Sequence, residues 1–198
     1  MSMDTLWYTT RLPHEMISLL EKDLQQFDGS LQTAQTVGGV DLQKRDSKTT
    51  WINSSHWVCG LCYHYVLLAN RTNFLYDIDG FDGETMQYTS YSSGEYYGWH
   101  QDAGLASVFK PEENREQNFV VTNSERQRKL SIIIQLSNPE EYSGGEVQFM
   151  RDDGRTYFAP KEKGTVIVFD SRVMHRARKV HSGLRKSLVG WISGPRWK

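Results

Sequence analysis

The chain has 198 residues, 38% of them hydrophobic and 24% charged, which suffices for one packed domain spanning residues 1–198. A formal net charge of −1 excludes a bulk field that would draw the protein to nucleic acid or an anionic membrane. No apolar run approaches about 18 residues, and the first residues lack the apolar core of a signal peptide. We therefore expect a soluble intracellular or cytoplasmic protein with no membrane partner, and the two cysteines fit a reducing compartment.

Two helices are predicted in the first third of the chain. Residues 14–27 have apolar side chains at helical spacing, and an Asp-Gly pair ends the pattern. Residues 30–52 are polar and contain glycine, so we expect a loop or an edge hairpin there. Residues 54–74 again show helical spacing, and Ser54 or Ser55 is the expected N-cap.

The CGLC tetrapeptide at 59–62 has the spacing of a redox or zinc motif. A thioredoxin-type motif places its first cysteine at the start of a helix, but Trp57 and Val58 already continue the predicted helix. A zinc site needs four ligands, and a helix does not bring His56 and His64 to one point with both thiols. We therefore predict that these cysteines are buried helix residues.

The pattern changes after residue 70 to short runs rich in β-branched and aromatic residues. Turn-forming residues separate most of these runs, which are 86–92, 95–102, 129–137, 144–150, 155–160, 164–170, 175–180 and 186–193. Strands that follow two helices predict an α+β fold with a sandwich or jelly-roll barrel. Residues 103–128 form the longest polar insertion, which we expect to be a mobile loop or lid beside the site.

His100 and Asp102 are two residues apart in a predicted strand, so their side chains point to the same face. A histidine nitrogen and a carboxylate oxygen make two thirds of a facial triad for Fe(II), which needs one further histidine. His175 follows a predicted buried strand and is the natural third ligand. The other histidines lie on the predicted helices or in a turn: His14, His56, His64 and His181.

Arg185 stands in an otherwise apolar strand and shares a face with Ser187. Burying a guanidinium is costly unless an anion meets it. A dicarboxylate cosubstrate bound to the metal would be that anion, held by the bidentate guanidinium fork and one hydroxyl.

In order and spacing, YSSGEYYGWHQD at 91–102, the MH pair at 174–175 and RKS at 185–187 resemble the iron(II)- and 2-oxoglutarate-dependent dioxygenases. The branch they resemble is that of the prolyl 4-hydroxylases and related bacterial and phage hydroxylases, and the resemblance covers roughly residues 70 to 195. It implies a double-stranded β-helix (jelly-roll) core with the N-terminal helices packed against it. It also implies Fe(II), 2-oxoglutarate and O2, with ascorbate supporting activity.

The resemblance also implies roles for individual residues. Carried over position by position, the iron ligands are His100, Asp102 and His175. Arg185 matches the residue that pairs with the far carboxylate of 2-oxoglutarate. Further residues are expected to contact or enclose the cosubstrate, namely Ser187, Tyr91, Gln135 and Trp191.

The substrate that the resemblance favours is a prolyl residue in a peptide or protein. Collagen-type prolyl hydroxylases usually carry Lys where this chain has Arg185, which argues against a collagen-like substrate. A nucleic-acid base or a small molecule hydroxylated by the same mechanism is the second hypothesis, with nucleic acid the less favoured partner. A non-enzymatic jelly-roll binding protein is the hypothesis from another class, and the sequence does not predict the oligomeric state.

Overall fold

The structure is a computed structural model that describes residues 7–36, 39–110 and 119–197, with only the backbone described at 84, 105–110 and 119–124. Its helices are α1 (His14–Leu24) and α2 (Trp57–Ala69), followed by a 3₁₀ turn (Gln25–Ser30) and a π turn (Asn70–Phe74) respectively. Its strands are β1 (Trp7–Arg11), β2 (Gln32–Thr33), β3 (Arg45–Asp46), β4 (Lys48–Asn53), β5 (Gly80–Tyr91), β6 (Tyr96–His100), β7 (Leu105–Lys110), β8 (Phe119–Gln135), β9 (Tyr142–Gly144), β10 (Val147–Met150), β11 (Thr156–Phe158), β12 (Thr165–Asp170), β13 (Met174–Ala177), β14 (Val180–Gly183) and β15 (Arg185–Pro195).

Within the described ranges, these strands form two main sheets and one short pair. The larger sheet has the order β1-β12-β8-β15-β5-β4-β2, and β7 adds to it by pairing with β8. The smaller sheet has the order β11-β10-β13-β6-β3, and β14 pairs with β9. Both sheets are antiparallel, and non-consecutive strands lie side by side, as in a jelly roll. The predicted α+β class with a double-stranded β-helix core is confirmed.

The strand alternation in β8 separates two layers of core. Ile132 and Ile134 pack with the apolar faces of α1 and α2 in one buried cluster. Ile133 points to the other face and packs with Val147 and Phe149 of the smaller sheet. Because successive side chains of a strand point to opposite faces, this one run of isoleucines packs against the helices on one face of the sheet and against the smaller sheet on the other. The helices therefore close the outer face of the larger sheet and leave its inner face for a pocket.

Both predicted helices are present, but the start of the second one is corrected. The N-cap of α2 is His56, whose Nδ1 accepts a hydrogen bond from the Val58 amide at 3.4 Å, and not Ser54 or Ser55. The predicted burial of the CGLC cysteines is confirmed, and burial raises the pKa of the Cys59 thiol to about 11. Thiols with raised pKa values are poor nucleophiles at neutral pH.

Within the described residues, no helix is long and apolar enough to cross a membrane.

The polar insertion at 103–128 is not the loop that the sequence predicted. Its flanks, β7 and the first part of β8, pair as antiparallel strands from Leu105 with Gln127 to Lys110 with Phe119. This hairpin is hard to recognise in the sequence, because polar residues interrupt its apolar side chains and these side chains do not alternate regularly. The lid was predicted for the whole of 103–128, of which residues 111–118 lie outside the described residues, so the mobility of this insertion stays a prediction.

Candidate metal centre and adjoining pocket

Two strands of the smaller sheet bring the three predicted ligands together. His175 on β13 stands directly opposite His100 at the end of β6. Asp102 follows two residues later, where its amide donates to the carbonyl of Ser171 at 2.9 Å and fixes the chain beyond the strand. One ligand atom from each of the three side chains lies within 4.8 Å of the others. This spacing suits a single metal ion held on one face.

Backbone carbonyls orient both imidazoles. The Nδ1 of His100 lies 2.8 Å from the Gly98 carbonyl oxygen, and the Nδ1 of His175 lies 2.9 Å from that of Val173. A ring nitrogen beside a carbonyl oxygen must donate, so each Nδ1 carries a proton and each Nε2 is the nitrogen available to a metal ion. The Nε2 atoms lie 3.5 and 3.4 Å from the two oxygens of Asp102. The two histidines are therefore arranged as Nε2 ligands.

The electrostatics of the three groups favour an ionised carboxylate. Burial raises the pKa of Asp102, but the charges and hydrogen bonds of His175 and His100 more than offset it, so the pKa lies well below its usual value. Burial lowers the pKa of His100, although Asp102 partly opposes that effect. Burial lowers the pKa of His175, but the Asp102 carboxylate outweighs burial and raises it. A divalent cation bound at these groups would therefore take the place of a proton.

Two serines form a hydrogen-bond network with the Asp102 carboxylate. The Ser131 hydroxyl donates to Oδ2 of Asp102 at 2.7 Å and lies 2.9 Å from the Ser171 hydroxyl. Both serines are buried, so this network is shielded from water. Ser131 was not predicted from the sequence, although the KLSIIIQ run does show a polar residue at the inward-facing position of an apolar strand.

We expect the Ser131→Ala variant to bind Fe(II) about 10- to 100-fold more weakly than the parent, because it loses the bond that orients Asp102. Anaerobic titration with Fe(II) measures this effect. Ser193→Ala is the matched control, since Ser193 is also buried in the larger sheet but its hydroxyl points to the Gly80 carbonyl. Equal Fe(II) affinity in both variants would refute a role for Ser131.

A pocket opens beside the triad between the two sheets, with about 440 Å³ of space including its mouth. Ile133, Val147 and Val189 give it apolar walls. Arg185 also lines it, is 2% exposed and donates to Oε1 of Gln135 at 2.9 Å. Among the described residues no carboxylate forms an ion pair with this buried guanidinium, which therefore favours an anionic ligand.

Three buried polar atoms in this pocket lack hydrogen-bond partners among the described residues. They are Nε of Arg185, the hydroxyl of Ser187 and the indole nitrogen of Trp191. Unsatisfied buried donors are costly, so they mark a place where a ligand completes the bonding. Two of them lie on one strand face beside the triad, which fits the carboxylate of a metal-bound dicarboxylate.

The remaining predicted residues differ in their relation to the pocket. Tyr91 and Trp191 line it, and the Arg185 guanidinium lies 5.3 Å from the centre of the Tyr91 ring. Gln135 is not among the described lining residues and contacts Arg185 instead, so it positions the guanidinium from behind. Tyr142, whose side chain interacts with Arg185, was not predicted from the sequence either.

A family model described as the 2OG-Fe(II) oxygenase superfamily matches residues 86–193, and the chain belongs to that superfamily. The family recognised from the sequence is thereby confirmed. Family membership implies Fe(II) and 2-oxoglutarate, and the donor set of the triad and the unpaired donors of Arg185 and Ser187 fit both.

Individual relatives agree with this membership. The chain is 32% identical over 103 residues to a PKHD-type hydroxylase of Parvibaculum lavamentivorans, covering 52% of this chain but only 38% of that protein. Its fold is similar to a prolyl-4-hydroxylase of Pseudomonas putida, with a TM-score of 0.71 and 20% identity over 98% of this chain and 94% of the other. Its fold is also similar to a prolyl hydroxylase of Trichoplax adhaerens in complex with a hypoxia inducible factor peptide. That similarity has a TM-score of 0.70 and 14% identity, and it covers 96% of this chain and 84% of the other. At these identities the two structures show the fold alone.

Proposed function

We propose that the chain is an Fe(II)- and 2-oxoglutarate-dependent dioxygenase that hydroxylates a prolyl residue in a peptide or protein. One observation supports this above the others. The His100, Asp102 and His175 ligand atoms adjoin a pocket that Arg185 and Ser187 also line, and both residues have donors without described partners. A jelly roll that only binds a sugar or a peptide needs neither feature. We also propose that residues 1–198 form a single domain.

In this proposal each part of the site has one task. His100, Asp102 and His175 would hold the iron, and Arg185 with Ser187 would hold the far carboxylate of 2-oxoglutarate. When bound, the metal and cosubstrate supply the oxidation, in which O2 converts 2-oxoglutarate to succinate and CO2 and the substrate gains a hydroxyl group. The apolar pocket walls keep water from the reacting atoms. Ascorbate supports turnover by keeping iron in the ferrous state.

Two observations support a peptide substrate. The fold is similar to two prolyl hydroxylases, one of them in complex with a peptide. Aromatic side chains also line the pocket, and flat rings suit the extended geometry of proline-rich segments, which lose little entropy on binding. Tyr91 and Tyr97 line the pocket, whereas the Tyr96 hydroxyl is bonded to the carbonyl of Gln43 and the Trp99 ring lies against Arg176. A nucleic-acid base or a small molecule is the second candidate substrate for the same mechanism.

The substrate class is tested by incubating the protein with proline-rich peptides and, separately, with short single-stranded oligonucleotides under identical Fe(II), 2-oxoglutarate and ascorbate conditions. We expect stimulated succinate release and one added oxygen atom on a peptide, measured by mass spectrometry. Stimulation and oxygen incorporation only with oligonucleotides would replace the substrate and keep the dioxygenase assignment. The absence of any iron-dependent succinate formation would favour the non-enzymatic binding protein.

A further inference from the structure

A second buried arginine lines the same pocket and is not used by the proposed iron and cosubstrate sites. Arg45, on the short strand β3, is 5% exposed. Its Nε donates to the Ser47 hydroxyl at 2.9 Å and one terminal nitrogen donates to Oε1 of Gln87 at 2.8 Å. Both partners are neutral, and no carboxylate among the described residues forms an ion pair with it. Three of its five N–H donors are left without a described partner.

The described residues that line the pocket carry an excess of positive charge. Three arginines line it, but Asp102 is the one carboxylate among its described lining residues. A ferrous ion and the 2-oxoglutarate dianion cancel each other, so the loaded pocket keeps this excess of positive charge. Arg176 is half-buried, with Gln148 bonded to its Nε and Trp99 beneath its guanidinium. Arg45 is the more deeply buried of these two cations, and its terminal nitrogens still have donors available for an anion.

The position of Arg45 separates it from the cosubstrate and keeps it near the metal ligands. Its guanidinium lies 4.7 Å from the centre of the Tyr97 ring, and that ring stacks on His100 at 3.6 Å. Its partner Gln87 stands opposite Val189, whose backbone is four residues, or about 14 Å, from that of Arg185 along β15. A cosubstrate held at Arg185 therefore leaves Arg45 to the substrate.

We propose that Arg45 is a specificity-determining residue that binds an acidic side chain next to the hydroxylated residue of the substrate peptide. The inference rests on the proposed function and adds a substrate class to it. A peptide carboxylate fits better than a nucleic-acid backbone, because a single buried guanidinium suits a single anion and the chain has a net charge of −1. A purely structural role, in which Arg45 only ties β3 to β5 through Gln87, makes no distinction between acidic and neutral substrates.

The test uses two blocked pentapeptides that differ only in the residues flanking a central proline, which are Asp in one and Asn in the other. Calorimetry measures their binding to protein loaded with Mn(II) and 2-oxoglutarate without oxygen, so that no turnover occurs. We expect the parent to bind the Asp peptide about tenfold or more tightly than the Asn peptide. Arg45→Gln should abolish this preference and Arg45→Lys should retain part of it. Lys44→Gln, which removes an exposed cation from the preceding position, should bind like the parent.

The outcomes separate this inference from the proposed function. Arg45-dependent preference without oxygen addition when Fe(II) and O2 replace Mn(II) would overturn the prolyl substrate and support the role of Arg45. Oxygen addition to both peptides with equal affinities would overturn the role of Arg45 alone. Equal weakening of both peptides in Arg45→Gln, or no binding of either by the parent, would also overturn it. Tighter, Arg45-dependent binding of a single-stranded oligonucleotide would overturn the acidic-peptide assignment.

Discussion

The His175→Ala variant is expected to lose iron-dependent 2-oxoglutarate turnover by more than about 100-fold while it keeps its fold. Loss of a residue that only orients a metal ligand already costs about 10- to 100-fold, so loss of a ligand costs more. His100→Ala and Asp102→Ala should behave alike, because a facial triad without one member no longer fixes the ion. Succinate formation at saturating Fe(II) and 2-oxoglutarate measures the effect.

His181→Ala is the matched control for this prediction. His181 lies exposed on β14 in the pair with β9, outside the pocket, so its loss should leave turnover unchanged. Circular dichroism and thermal unfolding check that each variant is folded. A folded His175→Ala protein with turnover close to the parent would show that His175 is not an iron ligand, and the same holds for the other two positions.

The sequence predicted the triad because its information is local. Two ligands share a strand face through the period of two, and the third follows an apolar run that has the length of a buried strand. The contacts that position Asp102 and Arg45 were not predictable in this way. Ser131 lies 29 residues from Asp102 in the chain, and Arg45 lies 42 residues from Gln87. Such contacts depend on which strands become neighbours, and the pattern within one strand contains no such information.

The fold shows the same difference between what the pattern within one strand predicts and what depends on neighbouring strands. Apolar alternation located the core strands, but β1 was missed because its five residues mix aromatic and polar side chains and are stabilised by pairing with β12. The hairpin of β7 and β8 was missed because the polar run between its strands made the whole insertion resemble a loop, although LASVFK at 105–110 and FVV at 119–121 are largely apolar. His56 replaced the predicted serine caps because its ring nitrogen reaches the Val58 amide from the first non-helical position. Each error concerns a segment whose conformation is set by its neighbours.

The Arg185→Met variant is expected to bind 2-oxoglutarate about 30-fold to a few thousandfold more weakly, with Fe(II) affinity nearly unchanged. The loss of a buried charge-assisted contact costs about 2–5 kcal/mol, part of which is the penalty for the carboxylate left unpaired. The Nε of Arg185 and the Ser187 hydroxyl have no described partners, so their bonding capacity is reserved for the ligand. Separate anaerobic titrations with 2-oxoglutarate and with Fe(II) distinguish the two affinities.

Lys186→Met is the control for a general loss of positive charge on the same strand. Lys186 bonds the Asp28 carboxylate at 2.8 and 2.9 Å outside the pocket, and such an exposed ion pair contributes at most about 1 kcal/mol to stability. Arg185→Lys keeps the charge but loses the planar fork, so its affinity should lie between those of the parent and Arg185→Met. If Arg185→Met bound 2-oxoglutarate as tightly as Lys186→Met, the cosubstrate carboxylate would have to lie elsewhere in the pocket. Arg45, the other deeply buried cation among the described lining residues, would then be the first position to test.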